Sequence, residues 1–129
     1  MNLLRTATFC ASALIACTVF AGVDLSKLPA PASTQGLTFT KNIRPIFEAS
    51  CFRCHGSERQ KDRLRLDSLH AVLKGSKEGP VVVPGESAKS SLVIAVSQLD
   101  HDSAMPPRGR ALSKKQVALI RAWIDQGAK

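Results

Sequence analysis

The segment that most constrains this chain is a pair of cysteines followed at once by a histidine, Cys51-Phe52-Arg53-Cys54-His55. Two thiols at this spacing can add across the two vinyl groups of one porphyrin, and the adjacent imidazole can bind its iron. The segment therefore predicts one covalently attached haem c, with Cys51 and Cys54 as the thioether sites and His55 as an axial ligand. The macrocycle would then serve as part of the core of a small domain.

A Cys-x-x-Cys pair also occurs in zinc sites and in thioredoxin-like redox proteins. A structural zinc site needs two further Cys or His ligands, and downstream of the motif the sequence offers only His70 and His101. A thioredoxin-like dithiol lies between a strand and a helix, and the flanking residues show no such α/β pattern. Haem attachment is the favoured interpretation, with the other two kept as alternatives.

The first residues are typical of an exported protein. Arg5 precedes an apolar run over residues 7–21 that closes on small residues, which is the composition of a secretory signal. We predict a signal peptide over residues 1–21 and export to the periplasm, which leaves Cys51 and Cys54 as the only thiols of the mature domain. In one alternative the run is an uncleaved membrane anchor, although it is shorter than the roughly 20 residues of a spanning helix. In the other, Cys17 is the lipidated end of a lipoprotein.

The rest of the chain predicts a linker and one helical domain. Residues 22–36 have the small and proline-rich composition of a flexible linker, and residues 37–129 have the length of a single domain. Apolar residues recur at helical spacing in four short stretches: 42–49 with Asn42 as the cap, 67–75 with Asp67 as the cap, a third that starts at Ser87 or Ser90, and 113–127. Residues 79–85 are expected to form an extended loop on the haem. We predict an all-α domain of about four short helices wrapped around one covalently attached haem.

An iron held by His55 has a second axial position to fill. Met105 is the only methionine after Met1, and the two prolines that follow it stiffen the loop that presents its sulfur. We therefore predict His55 and Met105 as the metal ligands, a pairing that raises the reduction potential. His101 is the rival ligand, but the aspartates beside it indicate a solvated loop. His70 is assigned no role.

The charge of the chain bears on its partners. Lys and Arg number 18 against 10 Asp and Glu, so redox partner proteins with acidic docking surfaces are one possibility. No nucleic acid is expected, because the charges are scattered with few aromatic residues beside them, and a membrane is expected only if Cys17 is lipidated. The arginines suited to pairing with a haem propionate are Arg53, Arg65, Arg108 and Arg110. Arg65 is the first choice, since it lies between two leucines that are expected to face inward.

Several short motifs, taken in order, resemble the planctomycete cytochrome C domain family. They extend over residues 39–127 and read Ile43-Arg44-Pro45-Ile46-Phe47, Cys51-Phe52-Arg53-Cys54-His55-Gly56, Leu64-Arg65-Leu66-Asp67-Ser68, Val83-Pro84-Gly85, Ser91-Leu92, Met105-Pro106-Pro107 and Trp123-Ile124-Asp125-Gln126-Gly127. The resemblance implies a class I cytochrome c fold with a single haem c, axial ligands His55 and Met105, and thioether sites Cys51 and Cys54. This chain departs from the family at Asp62 and Arg63, where glycine is common.

Together these patterns favour an exported monohaem c-type cytochrome that carries single electrons between redox partners through a His/Met-ligated haem. Both ligands stay on the iron in this function and no substrate bond is made or broken, so the protein is not expected to be an enzyme. Two alternatives remain. The domain is a haem-bearing subunit of a larger dehydrogenase, or it is a peroxidase-like or small-ligand-binding haem domain in which Met105 is not bound to the iron.

Overall fold

The computed structural model of the protein describes residues 22–129. The expected signal peptide and the alternative lipidation site at Cys17 lie outside the described residues. Within residues 22–129 the chain is helical and has no strands, which confirms the all-α prediction. Its four α-helices are α1 (Arg44–Ser50), α2 (Leu69–Lys74), α3 (Ser91–Val96) and α4 (Lys114–Asp125). No helix in this range has the length and apolarity to cross a membrane.

Helix α1 follows a π-helical turn at Phe39–Ile43. The sequence predicted Asn42 as the cap of α1, but Asn42 lies inside this turn, where its side-chain oxygen accepts a hydrogen bond from the Thr38 amide at 3.0 Å. Pro45 lies in the first turn of α1 as expected, where its missing N–H leaves no hydrogen bond unmade. The helix ends at Ser50, so the next residue, Cys51, leaves the helix at a fixed position.

Helices α2 and α3 begin at serine caps. Ser68, rather than the expected Asp67, caps α2, and its hydroxyl accepts a hydrogen bond from the Ala71 amide at 3.2 Å. Both expected starts near α3 are used, because Ser87–Lys89 forms a 3-10 turn and Ser90 is the N-cap of α3. The segment over residues 79–85 is a loop, as predicted.

The longest helix, α4, begins at the capping box that the sequence indicated. The Ser113 hydroxyl accepts from the Gln116 amide at 3.2 Å, and the Gln116 side chain accepts from the Ser113 amide at 2.9 Å. Two backbone donors that have no partner within the helix are thereby satisfied. Gly127, at φ +102°, follows the helix in a conformation that favours glycine.

Three aromatic side chains join α4 to the start of the domain. The Phe39 ring lies 6.0 Å from Trp123 and 6.2 Å from Phe47, measured between ring centroids. All three side chains are buried, and the indole N–H of Trp123 donates to the Lys129 carbonyl at 2.8 Å. This cluster holds α1, and with it the cysteine motif, against α4.

The segment expected to be a flexible linker contacts α4 over part of its length. Leu28 is buried, and the Ala32 amide donates to the Ala118 carbonyl at 2.9 Å. Further on, the Gln126 side chain donates to the Thr34 carbonyl at 2.8 Å. This part of residues 22–36 is therefore packed on the domain. Residue composition does not indicate such packing, because the backbone groups of the segment make most of these contacts. The boundary at residue 37 stays a prediction.

A polar network ties α4 to the turn that precedes α3. Asp125 accepts hydrogen bonds from the Ser87 amide at 2.8 Å and from the Ser87 hydroxyl at 3.0 Å. Arg121 donates to the same hydroxyl at 3.0 Å and also to the Pro29 carbonyl. Because Ser87 is buried, this network supplies the partners that its polar atoms need.

Candidate cofactor site

The cysteine motif forms a tight turn directly after α1. The Cys51 amide donates to the Phe47 carbonyl at 2.7 Å, which continues the helical pattern for one more residue. The amides of Cys54 and His55 both donate to the Cys51 carbonyl, at 3.1 and 2.9 Å. Both cysteines are free and half-buried, and His55 is buried. The turn therefore holds two thiols and one imidazole close together.

The loop after the motif folds back and fixes the backbone of the motif. The Lys61 amide donates to the Cys54 carbonyl at 3.0 Å, and the Leu66 amide donates to the His55 carbonyl at 2.8 Å. Gly56 lies between these contacts, and a Cβ atom at this position would be 2.6 Å from the Phe52 carbonyl oxygen. Glycine is therefore required beside His55 for steric reasons.

Met105 is held by the end of α3 and by Gln98, which follows this helix. Its amide donates to the Ala95 carbonyl at 2.9 Å, and its carbonyl accepts from the Gln98 side chain at 2.7 Å. Met105 is half-buried, whereas His101 and Asp102 in the same loop are exposed.

One cavity brings the predicted site residues together. It has a volume of about 690 Å³, and its wall includes Cys51, Cys54, His55 and Met105. Sites for small molecules and cofactors span about 300–1,000 Å³, so the volume suits a single macrocycle. Although Met105 is 50 positions after His55 in the sequence, both residues line the same cavity.

A second cavity adjoins the first. It has a volume of about 720 Å³ and extends between the end of α1 and the start of α4. The two cavities share Cys51, Arg53, Pro106 and Arg108 among their lining residues. They are therefore two parts of one recess beside the cysteine motif.

The residues present fit a haem. Cys51 and Cys54 supply two thiols, while His55 and Met105 supply the nitrogen and the soft sulfur that bind haem iron. The ring atom Nδ1 of His55 is buried and has no hydrogen-bond partner. A buried polar atom without a partner is uncommon in a completed site. His55 lines the cavity, so its unpaired imidazole is what a site completed by a further group would show.

The two alternative uses of the cysteines find no support in the geometry. Burial, together with the nearby Cys54, raises the pKa of the Cys51 thiol to about 11, which disfavours the reactive thiolate of a redox dithiol. Within residues 22–129 no group of three or more His, Cys, Asp or Glu side chains is placed to hold a metal ion. A protonated Cys51 is still able to form a thioether.

Of the other candidates, Arg53, Arg108 and Arg110 line the cavities, whereas His101, His70 and Arg65 do not. His101 is fully exposed, and its ring contacts only Asp102 at 3.7 Å, while His70 is exposed on α2. Arg65, the first choice for a haem propionate, instead makes a two-pronged contact with Asp67 at 2.6 and 3.0 Å. The Arg65 guanidinium holds the pKa of the Asp67 carboxyl below its usual value. Arg65 lines neither cavity.

Sequence reasoning missed Arg59, Lys61 and Asp62, which line the first cavity. They belong to the polar loop after the motif. Backbone hydrogen bonds place this loop beside the cavity, and the sequence gives no sign of these bonds. Asp62 and Arg63 both have φ +56°, which is the left-handed region. This backbone conformation explains why glycine suits the two positions, and the chain keeps it without glycine.

A Cys-x-x-Cys-His turn in a small helical domain is typical of haem-binding proteins of the cytochrome c class. Residues 51–109 match the family described as planctomycete cytochrome C, which confirms the resemblance stated from the sequence. The matched range begins at Cys51 and includes Met105. Cytochrome c domains are in general exported electron carriers that bind haem c. No curated protein and no solved structure matches the chain.

Proposed function

We propose that this protein is an exported monohaem c-type cytochrome of class I fold that carries single electrons between redox partners in the periplasm. Its helices would surround one haem c, attached at Cys51 and Cys54 and held by His55 and Met105. The observation that carries the proposal is the single cavity lined by all four of these side chains. Two thiols, an imidazole and a thioether around one cavity are the set of groups that holds a haem c.

Each of the four side chains has a distinct task in this function. Cys51 and Cys54 would hold the haem through two C–S bonds, formed by addition of their S–H groups to the two vinyl groups without an oxidant. His55 and Met105 would bind the iron, which would leave it no ligand position for a substrate. The bound haem supplies a one-electron couple between ferrous and ferric iron. The protein would therefore exchange electrons without acting as an enzyme.

The proposal is tested by optical spectra of the oxidised and reduced protein and of the Met105→Ala variant. We expect low-spin iron in both states of the wild-type protein, with the charge-transfer band of a methionine–ferric iron bond. Met105→Ala is expected to lose that band and to have a lower reduction potential, because a soft thioether stabilises ferrous iron. The control is His101→Ala, whose spectrum is expected to match the wild type.

Wild-type protein with high-spin iron that binds carbon monoxide at once would contradict the electron-carrier function and favour the small-ligand-binding alternative. If the His101→Ala variant lost the low-spin spectrum, the second iron ligand would be His101 and not Met105. Stable co-purification with a dehydrogenase would favour the subunit alternative.

A further inference from the structure

We propose that the arginines around the recess form a docking surface for an acidic redox partner protein. The inference rests on the proposed function, because it concerns where a partner would approach the haem. We name this surface the arginine rim. Its members are the exposed basic residues that line one or both cavities: Arg53, Arg59, Lys61, Arg108 and Arg110.

The positive charge of the arginine rim is not neutralised within the described chain. None of its five side chains makes an ion pair, although five pairs of Lys or Arg with Asp or Glu occur elsewhere in residues 22–129. Both acidic residues that line the cavities are already paired with cations outside the rim. Glu48 contacts Arg44 at 3.1 Å, and Asp62 contacts Lys77 at 3.0 Å. The recess is therefore bordered by unpaired guanidinium groups that a carboxylate-rich surface would complement.

The position of the rim argues against haem propionates as its partners. In a haem the two vinyl groups lie on one half of the macrocycle and the two propionates on the opposite half. Arg53 lies in sequence between the two cysteines that take the vinyl groups, and Arg108 shares both cavities with Cys51. Arg53 and Arg108 would therefore lie nearer to the thioether side of a bound haem than to its propionates.

The surroundings of the rim favour a protein over a membrane as the partner. Binding to a lipid surface by a soluble domain uses apolar side chains beside the basic ones. The exposed large apolar residues of the described chain are Leu25 and Leu73, and neither lines either cavity. An acidic protein needs only charge complementarity around the recess.

The test measures electron transfer from the ferrous protein to two small oxidants of opposite charge by stopped-flow. Ferricyanide, a trianion, and tris(phenanthroline)cobalt(III), a trication, each accept one electron from the haem. The rim variant is Arg53→Gln/Arg108→Gln/Arg110→Gln. The control variant is Lys41→Gln/Lys74→Gln/Lys129→Gln, which removes the same three charges at residues that line neither cavity. Poly-L-glutamate serves as a competing acidic chain, and phosphatidylglycerol vesicles serve as a competing anionic membrane.

At low ionic strength, we expect the rim variant to have an about tenfold lower rate constant with ferricyanide than the wild type. Its rate constant with the cobalt complex should be higher. Steering by local charge changes such rates by about 10-fold or more. The control variant should change both rates less than threefold, and the differences should fall as salt rises. Poly-L-glutamate should slow the ferricyanide reaction of the wild type but not of the rim variant.

Equal effects of the rim and control variants would overturn the proposal, because net charge alone would then account for the rates. If vesicles slowed the ferricyanide reaction of the wild type and poly-L-glutamate did not, the rim would be a membrane-binding surface and not a protein-binding one. Loss of haem or a shifted potential in the rim variant would assign the arginines to the propionates. Failure of the proposed function has a different signature, which is wild-type protein without a low-spin, covalently bound haem.

Discussion

At the scale of single residues, Arg63 adopts a backbone conformation with positive φ that favours glycine. Its φ of +56° costs an L-residue roughly 1–2 kcal/mol, and its side chain makes no hydrogen bond or ion pair within the described chain. We therefore expect Arg63→Gly to raise the free energy of unfolding by about 0.5–1 kcal/mol, after allowance for the greater entropy of glycine in the unfolded chain. Urea denaturation of the haem-loaded protein measures the change.

The matched control for this effect is Arg63→Ala. It removes the same charge but keeps a Cβ atom, so the strain remains and no gain in stability is expected. If both variants were stabilised equally, the charge of Arg63 rather than its backbone conformation would be responsible.

Gly56 has the opposite requirement, because the space beside His55 is too small for any side chain. Gly56→Ala would place a Cβ atom 2.6 Å from the Phe52 carbonyl oxygen, and the backbone of the motif would have to move. We expect a loss of about 1–3 kcal/mol in stability and a smaller fraction of molecules with attached haem. Thermal denaturation and the haem-to-protein absorbance ratio measure the two effects.

The control for this prediction is Ser57→Ala at the next, exposed position, which should leave both quantities unchanged. A Gly56→Ala protein with normal stability and full haem content would show that the turn is more adaptable than its geometry indicates.

The sequence predicted some residues of the candidate site and not others, for a physical reason. Cys51, Cys54 and His55 are adjacent in the chain, so their spacing alone places them together, and Met105 was found because few other soft ligands exist. Arg65 was chosen on the burial of its neighbours, but the carboxylate two positions later is a nearer partner. Arg59 and Lys61 line the cavity because backbone hydrogen bonds fold their loop back onto the motif. Backbone hydrogen bonds leave no pattern in the residue types.

At the scale of secondary-structure elements, helix ends depend on which of several polar side chains fits the backbone. The capping box of α4 was predictable because Ser113 and Gln116 satisfy each other. The caps of α1 and α2 were each misplaced, since Asn42 and Asp67 have other partners. Residue type predicts that a helix starts nearby, whereas the exact cap depends on three-dimensional neighbours.

The contact between α4 and the turn before α3 leads to a prediction about Asp125. Asp125→Ala leaves the buried amide and hydroxyl of Ser87 without their acceptor, so we expect a loss of about 1–3 kcal/mol in the free energy of unfolding. Asp125→Asn keeps one acceptor oxygen and should lose less. Urea denaturation of both variants measures the difference.

Asp102→Ala provides the control, because the Asp102 carboxylate is exposed and contacts only His101. Its effect should stay within about 0.5 kcal/mol. Equal stability of Asp125→Ala and the wild type would mean that water replaces the lost acceptor and that the network does not hold α4 in place.

At the scale of the whole molecule, the helical class and the number of helices followed from apolar spacing and turn residues. The recess did not follow from them, because it forms where the end of α1, the loop after the motif and the Met105 loop meet. The attachment of residues 28–36 to α4 was also not predictable, since backbone carbonyls and amides make those contacts. What the sequence lacked was the three-dimensional proximity of segments far apart in the chain.

The intact mass of the protein, produced with the machinery for haem attachment, tests the covalent haem most directly. We expect the mass of the polypeptide plus one haem, no alkylation of Cys51 or Cys54 by iodoacetamide, and a haem-bearing peptide that contains both residues. A protein with the mass of the polypeptide alone and two free thiols would contradict the assignment of Cys51, Cys54, His55 and Met105 to a haem.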